Sequence, residues 1–77
     1  MPRYFFHISN GKPYKDEMGE ELRDAAEAWF AAKRLARDIE DTLEPNGRWN
    51  VEVTDTQGSP LYCIEIVGRK IVGRKFP

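Results

Sequence analysis

A single amphipathic helix with a hairpin-like segment on each side is the pattern that most constrains this chain. The helix is predicted from Asp24 to about Leu43, where apolar residues recur at helical spacing along one stripe. It opens with Asp24-Ala25-Ala26-Glu27, which matches a capping box with Asp as the capping residue. Pro45-Asn46-Gly47 is typical of a helix end. The stripe comprises Ala25, Ala28, Trp29, Ala32, Leu35, Ala36, Ile39 and Leu43.

The segment before the helix predicts a hairpin and a turn. Residues 3–9 are rich in aromatic and β-branched side chains, which favour a strand. Asn10-Gly11 follows directly and is a strong hairpin signal, because both residues tolerate positive φ. The return strand is expected over residues 12–15, at a sheet edge or with brief pairing, since Pro13 has no N–H to donate. Residues 16–20 are expected to form a turn with a left-handed Gly19.

The segment after the helix predicts a second hairpin. Trp49, Val51 and Val53 alternate with three polar residues, which is typical of a half-buried strand. Residues 55–60 read as a loop, and residues 61–67 as the fourth strand. In that strand one face carries Tyr62, Ile64 and Ile66, and the other carries Leu61, Cys63 and Glu65.

Together these elements predict an α+β domain with the order β-β-α-β-β, in which four mostly antiparallel strands form one sheet and the helix packs on one face. The domain is expected over residues 1–67, followed by a basic, flexible tail over residues 68–77. The tail repeats the sequence of residues 66–70 at 71–75, as either a frayed duplication or a basic arm that contacts an acidic partner. The predicted core comprises Tyr4, Phe6, Ile8, Trp29, Ala32, Leu35, Ala36, Ile39, Leu43, Trp49, Val51, Val53, Ile64 and Ile66.

Composition narrows the classes of function. With 77 residues the chain has room for one small core, and domains of this size often gain stability by oligomerising. The net charge of −1 provides no global attraction to nucleic acid or anionic lipid. The single cysteine excludes an internal disulfide. Without a signal-peptide pattern or an apolar run long enough to cross a bilayer, the protein is expected to be soluble and cytoplasmic.

Three motifs in order resemble a family of small, uncharacterised bacterial domains, classed only as a domain of unknown function. They are Met1-Pro2-Arg3-Tyr4-Phe5-Phe6-His7, then Asp16-Glu17-Met18-Gly19-Glu20-Glu21-Leu22 ahead of the helix, and Val51-Glu52-Val53-Thr54-Asp55 before a Gly turn. The resemblance extends to about Ile66 and leaves the repeated tail outside. It supports the fold and implies no catalytic residue, since that family has no assigned activity.

The residues that carry chemistry do not form a recognisable catalytic or metal-binding pattern. His7 and Cys63 are predicted on the face opposite the helix, together with Glu52 and Glu65. Such a group resembles a zinc-ligand or nucleophile set only in composition, because the spacing of known metal sites is missing. The acidic run over residues 16–24 does not match an EF-hand loop and is expected to be a solvated turn. No enzyme activity, metal or cofactor is therefore predicted.

Two interaction surfaces remain. Phe30 is predicted on the helix side away from the apolar stripe, with Arg34 and Arg37 one and two turns further on, where it is either a lone surface aromatic or an interface anchor. The candidate interface residues are Phe30, Arg34, Arg37, Phe5, His7 and Cys63. If the tail folds beside the helix, the helix arginines Arg34 and Arg37 form a basic patch for nucleic-acid contact with Lys33, Arg69, Lys70, Arg74 and Lys75. The alternative is a solvated surface of mixed charge. The predicted function is a non-catalytic interaction module, binding another protein or a second copy of itself as a homodimer; the alternative is a weak nucleic-acid-binding accessory protein.

Overall fold

The computed structural model describes residues 1–71, which form one helix and five strands. These elements are β1 Arg3–Ser9, β2 Pro13–Tyr14, β3 Glu20–Glu21, α1 Ala25–Glu40, β4 Arg48–Thr54 and β5 Pro60–Val67. No helix among these residues is long and apolar enough to span a membrane. Most of the predicted tail lies outside the described residues, including Arg74, Lys75 and nearly all of the second repeat copy.

The five strands form one antiparallel sheet, in which four follow the order β2-β1-β4-β5. The fifth, β3, pairs with the same edge of β1 as β2 does, but at the opposite end of that strand. The predicted α+β class is confirmed, with a fifth short strand, β3, in the segment that precedes the helix. In the register, Phe6 lies opposite Val53, and Val51 lies opposite Ile64. Because side chains alternate along a strand, these residues share the face that packs against α1.

The first hairpin is shorter than predicted. Only Pro13 and Tyr14 pair with β1, opposite Ser9 and Ile8. Gly11 adopts a φ of 99°, so the turn uses the left-handed conformation that glycine permits. The expectation of brief pairing at the sheet edge is confirmed, since a proline cannot extend the ladder with an N–H.

The helix begins as predicted and ends three residues early. The Asp24 carboxylate accepts a hydrogen bond from the Glu27 N–H at 2.9 Å, as expected for the capping residue. At the other end, the N–H groups of Thr42 and Leu43 donate to the carbonyls three residues before them. This tighter hydrogen bonding ends the α-helix at Glu40, before the predicted Leu43.

The core lies between the small residues of α1 and the centre of the sheet. Its buried members are Tyr4, Phe6, Leu22, Ala28, Ala31, Ala32, Val51 and Val53, with Ile8, Leu35, Ile39, Tyr62 and Ile64 packed against them. The predicted core omitted the buried Leu22, Ala28 and Ala31, and nine of its fourteen members are only half-buried. Four of these nine pack against the buried residues, and the other five lie further from the centre: Trp29, Ala36, Leu43, Trp49 and Ile66. Alanines bring the helix axis close to the sheet, so the larger side chains spread around its margin.

Candidate functional site

The outer face of the sheet, away from α1, ends in an open groove of about 700 Å³. Its floor includes Phe5, His7 and Thr54, which come from the adjacent strands β1 and β4. Residues 13–17 form one wall and residues 55–58 form the other. The predicted face is therefore present, with Phe5 and His7 on it as expected from strand alternation.

The hydrogen bonds of His7 show what this residue does in the groove. Its Nδ1 accepts a hydrogen bond from the Asp16 N–H at 3.0 Å, and its Nε2 lies 2.9 Å from the Thr54 hydroxyl. With Nδ1 accepting, the neutral ring carries its proton on Nε2, which then donates to Thr54. A base that activated the Thr54 hydroxyl would need the opposite tautomer. His7 thus ties together β1, β4 and the segment that contains Asp16.

Asp16 organises the turn between β2 and β3. One carboxylate oxygen accepts from the N–H groups of Met18 and Gly19 at 3.0 and 3.1 Å, and the other accepts from the Phe6 N–H at 3.1 Å. Partial burial raises the pKa of Asp16, but the three N–H donors and the nearby His7 outweigh it. The pKa of this carboxyl therefore lies below its ordinary value of 3.8.

The same carboxylate closes one edge of the sheet. β2 covers the end of β1 at Ile8 and Ser9, and β3 covers the other end at Arg3 and Tyr4. The N–H of Phe6 lies in the gap between these short strands and donates to the Asp16 carboxylate instead. An edge strand normally exposes a row of backbone groups that another chain can pair with. Along β1, short strands therefore pair with both ends of that row, and the Asp16 carboxylate accepts the N–H between them.

Arg3 and Gly19 hold this closed edge together. The Arg3 guanidinium donates to the Met18 carbonyl at 2.7 Å and pairs with the Glu21 carboxylate at 3.1 Å. Gly19 has a φ of 70°, and a Cβ there would lie 2.8 Å from the Tyr4 carbonyl oxygen and 2.9 Å from Phe5 Cε2. The turn therefore packs tightly on β1 and half-covers Phe5. Within the acidic run, Asp16 and Glu21 make such contacts, and Asp24 caps the helix.

Cys63 is not close to His7. It is exposed on β5, where its thiol donates to the Asn50 amide oxygen at 2.8 Å. In the register, Glu52 of β4 lies between Cys63 and His7, so two strand spacings, about 9–10 Å, separate them. Among residues 1–71, no three His, Cys, Asp or Glu side chains cluster as metal ligands would. The structure thus keeps His7 and Cys63 too far apart to act together as zinc ligands or as a nucleophile and its base.

A second groove, of about 570 Å³, lies between α1 and β5. Lys33 and Arg37 line it together with Trp29 and Ile64, and the Trp29 ring packs on Tyr62 with centroids 5.1 Å apart. Phe30 is 53% exposed. The cation that lies over its ring is Lys33, at 5.0 Å, one turn away on the same helix.

The predicted nucleic-acid residues are only partly described. Lys33 lies on the helix beside Phe30, and Arg69 and Lys70 are exposed after the end of β5. The Lys70 N–H donates to the Asn46 side chain at 3.1 Å. Arg74 and Lys75 lie outside the described residues, so the basic patch and its nucleic-acid contact stay predictions.

The other edge of the sheet is β5. One hydrogen bond shows which of its residues direct their backbone N–H and C=O groups towards β4 and which direct them outward. The Gly68 N–H donates to the Gly47 carbonyl at 2.9 Å, next to the facing pair of Arg48 and Val67. Facing pairs alternate along an antiparallel ladder between those that exchange hydrogen bonds and those that do not. Tyr62, Ile64 and Ile66 therefore direct their backbone groups to β4. The N–H and C=O groups of Cys63, Glu65 and Val67 point outward, and nothing in residues 1–71 pairs with them.

Sequence reasoning missed the part that Asp16 plays at the closed edge. The available signal was an Asp three residues before a left-handed Gly, which favours an Asx-type turn in which the carboxylate accepts nearby N–H groups. The same arrangement occurs before Gly58, where the Asp55 carboxylate accepts from the N–H groups of Gln57 and Ser59, both at 2.9 Å. The bond to Phe6 could not be read from the turn, because it depends on how the turn docks on β1.

The three motifs noted in the sequence thus meet in the structure: Arg3 and His7 contact the Asp16 turn, and Thr54 contacts His7. No curated protein and no solved structure matches the chain. A family model matches residues 3–67, the whole of the folded part from β1 to β5. The chain therefore belongs to the family described as Domain of unknown function (DUF6894).

Proposed function

We propose that this domain is a non-catalytic module that associates with a second copy of itself through the open edge of β5. The observation that carries the proposal is the difference between the two edges of the sheet. The β1 edge is covered by β2, β3 and the Asp16 carboxylate, whereas the β5 edge presents outward backbone groups that no other described segment pairs with. Proteins usually protect such edges, so an exposed one favours pairing with another strand.

The composition of β5 supports this use. Between Leu61 and Val67 the strand has no proline or lysine, and Glu65 is its only charged residue. Leu61 and Val67 are 40% and 47% exposed, although both are apolar. The features that normally prevent edge pairing are confined to the start of the strand, where Pro60 stands and the register with β4 shifts beside Thr54.

The hydrogen bonds of the candidate chemical groups support a non-catalytic function. Both ring nitrogens of His7 are engaged by Asp16 and Thr54, and Thr54 is only 5% exposed. The Cys63 thiol lies on the far side of β4 from His7. A nucleophile, its base and a site for the reacting atom must lie within hydrogen-bond reach of one another.

The test is the solution mass of the protein by light scattering during gel filtration. A stable pair is expected at about twice the 8.9 kDa chain mass. Glu65→Pro removes an outward N–H without removing a bond to β4, and Val67→Lys places a charge on the edge; both are expected to yield monomers. Tyr14→Lys, at the closed edge, is the matched control and is expected to leave the mass unchanged.

Circular dichroism of each variant separates loss of pairing from loss of folding. A wild-type protein that stays monomeric at high micromolar concentration would contradict self-association. A dimer whose mass is unaffected by folded Glu65→Pro and Val67→Lys variants would show that the chain associates through another surface.

A further inference from the structure

We infer that two copies pair β5 against β5 in an antiparallel register centred on Ile64, so that the two sheets become one. This inference rests on the proposed self-association and specifies its geometry. The backbone of β5 restricts the possible registers. Two β5 strands exchange hydrogen bonds only where a residue whose N–H and C=O point away from β4 faces another such residue. Cys63, Glu65 and Val67 carry those groups. A two-fold pairing that uses them and aligns at least five residues between Leu61 and Val67 is therefore centred on Cys63, Ile64 or Glu65.

Of these three registers, the one centred on Ile64 places the most compatible side chains of the two β5 strands opposite each other. On the outer face it places Leu61 opposite Val67 of the second copy, which covers two exposed apolar side chains with each other. On the helix face it places Ile64 opposite Ile64 of the second copy. Apolar residues facing each other across strands stabilise a sheet, so both faces gain from this alignment.

The two neighbouring registers are less favourable. Centring on Glu65 places the two Glu65 carboxylates directly opposite each other, and facing like charges destabilise a strand pair. Centring on Cys63 places Leu61 opposite Glu65 of the second copy and leaves Val67 beyond the paired stretch. In the Ile64-centred register, Glu65 faces the small, uncharged Cys63 instead.

The groove between α1 and β5 fits the same arrangement. A two-fold axis perpendicular to the sheet keeps both helices on one face, so the groove of one copy opens towards the groove of the other. Lys33 and Arg37 line this groove together with Glu40. A surface that carries both signs of charge can complement a second copy of itself across a two-fold axis.

The native Cys63 allows each register to be read by disulfide formation. Facing residues with exchanged hydrogen bonds have Cα atoms about 5.5 Å apart, within disulfide range, whereas diagonal neighbours lie about 7–8 Å apart. Cys63 faces itself in the Cys63-centred register. It faces the cysteine introduced by Glu65→Cys in the Ile64-centred register, and the one introduced by Val67→Cys in the Glu65-centred register.

The experiment compares the rate at which wild type, Glu65→Cys and Val67→Cys form covalent dimers under mild oxidation. We expect Glu65→Cys to cross-link at least about tenfold faster than the other two, because only its sulfurs face each other. A Cys63→Ser, Glu65→Cys double variant retains the new cysteine but loses its facing partner, and is expected to cross-link slowly. Light scattering under reducing conditions confirms that each variant is a dimer before oxidation.

The outcomes separate this inference from the proposed function. Equally rapid cross-linking of wild type and both variants would assign the Cys63-centred register. Rapid cross-linking of Val67→Cys and of the Cys63→Ser, Glu65→Cys double variant would assign the Glu65-centred one, and either result would overturn the register centred on Ile64. A dimeric mass without rapid cross-linking in any variant would overturn the Ile64-centred register while leaving self-association in place, and Glu65→Pro and Val67→Lys then test the β5 edge separately. A monomeric mass in wild type would refute the proposed function itself, and the inference with it.

Discussion

Replacement of Asp16 tests how much of the fold depends on one carboxylate. In Asp16→Ala, the N–H groups of Phe6, Met18 and Gly19 lose their acceptor. Each such bond is worth about 0.5–1.5 kcal/mol, so we expect the free energy of unfolding to fall by about 2–4 kcal/mol. A 77-residue domain has a total stability of only about 4–12 kcal/mol, so this loss is a large fraction of it.

The assay is urea unfolding followed by the fluorescence of Trp29 and Trp49, which are half-buried beside the core. Protein concentration is held fixed, because dimerisation would add to the apparent stability. The matched control is Asp55→Ala. Its carboxylate makes the same kind of turn, but the two N–H groups it binds lie in an exposed loop, so we expect a loss of about 1 kcal/mol.

Equal losses for the two alanine variants would refute the reasoning. They would mean that the bond from Asp16 to the Phe6 N–H adds nothing beyond a local turn, and that the closed edge does not depend on this carboxylate. Asp16→Asn refines the comparison, since the amide keeps one acceptor oxygen and presents an N–H donor in place of the other.

Two further predictions concern the same turn. Because the pKa of Asp16 is lower in the folded protein than its ordinary value of 3.8, its ionised form stabilises the fold above that value, and this contribution is lost as the pH falls through the folded-state pKa. Urea midpoints measured from about pH 6 down to about pH 3 should therefore fall less steeply for Asp16→Asn than for wild type, and parallel curves would contradict this. Gly11→Ala and Gly19→Ala both place a side chain at positive φ, which costs about 1–2 kcal/mol, but only the second meets atoms of β1. Thermal unfolding should show Gly19→Ala to be less stable by about a further 1–3 kcal/mol, and equal melting temperatures would show that the turn relaxes away from Tyr4 and Phe5.

Much of the fold could be predicted because local chemistry determines it. The capping by Asp24 depends on a side chain and an N–H three residues apart, and both are visible in the sequence. The faces of β4 and β5 follow from strict alternation, so the positions of Val51, Val53 and Ile64 were predictable. The left-handed Gly19 followed from turn chemistry, although its close approach to β1 did not.

The burial of Leu22 and Ala31 was less predictable. Leu22 lies next to β3, a strand of two residues that exists only because it pairs with β1, and its N–H donates to the Pro2 carbonyl at 3.0 Å. Ala31 lies beside the apolar stripe of the helix, and whether it is buried depends on how α1 rotates on the sheet. Neither the pairing of β3 with β1 nor the rotation of α1 on the sheet is determined by residues that are neighbours in the sequence.

The sequence by itself determined the helix, the strand faces and the α+β class, because each depends on spacing along the chain and on side-chain type. Tertiary structure alone decided the strand order, and with it which edge of the sheet is closed and which is open. It placed Asp16 beside the Phe6 N–H, and it placed β4 between His7 and Cys63. These relations join residues that are far apart in the chain, and only the packing of the whole sheet against α1 selects them.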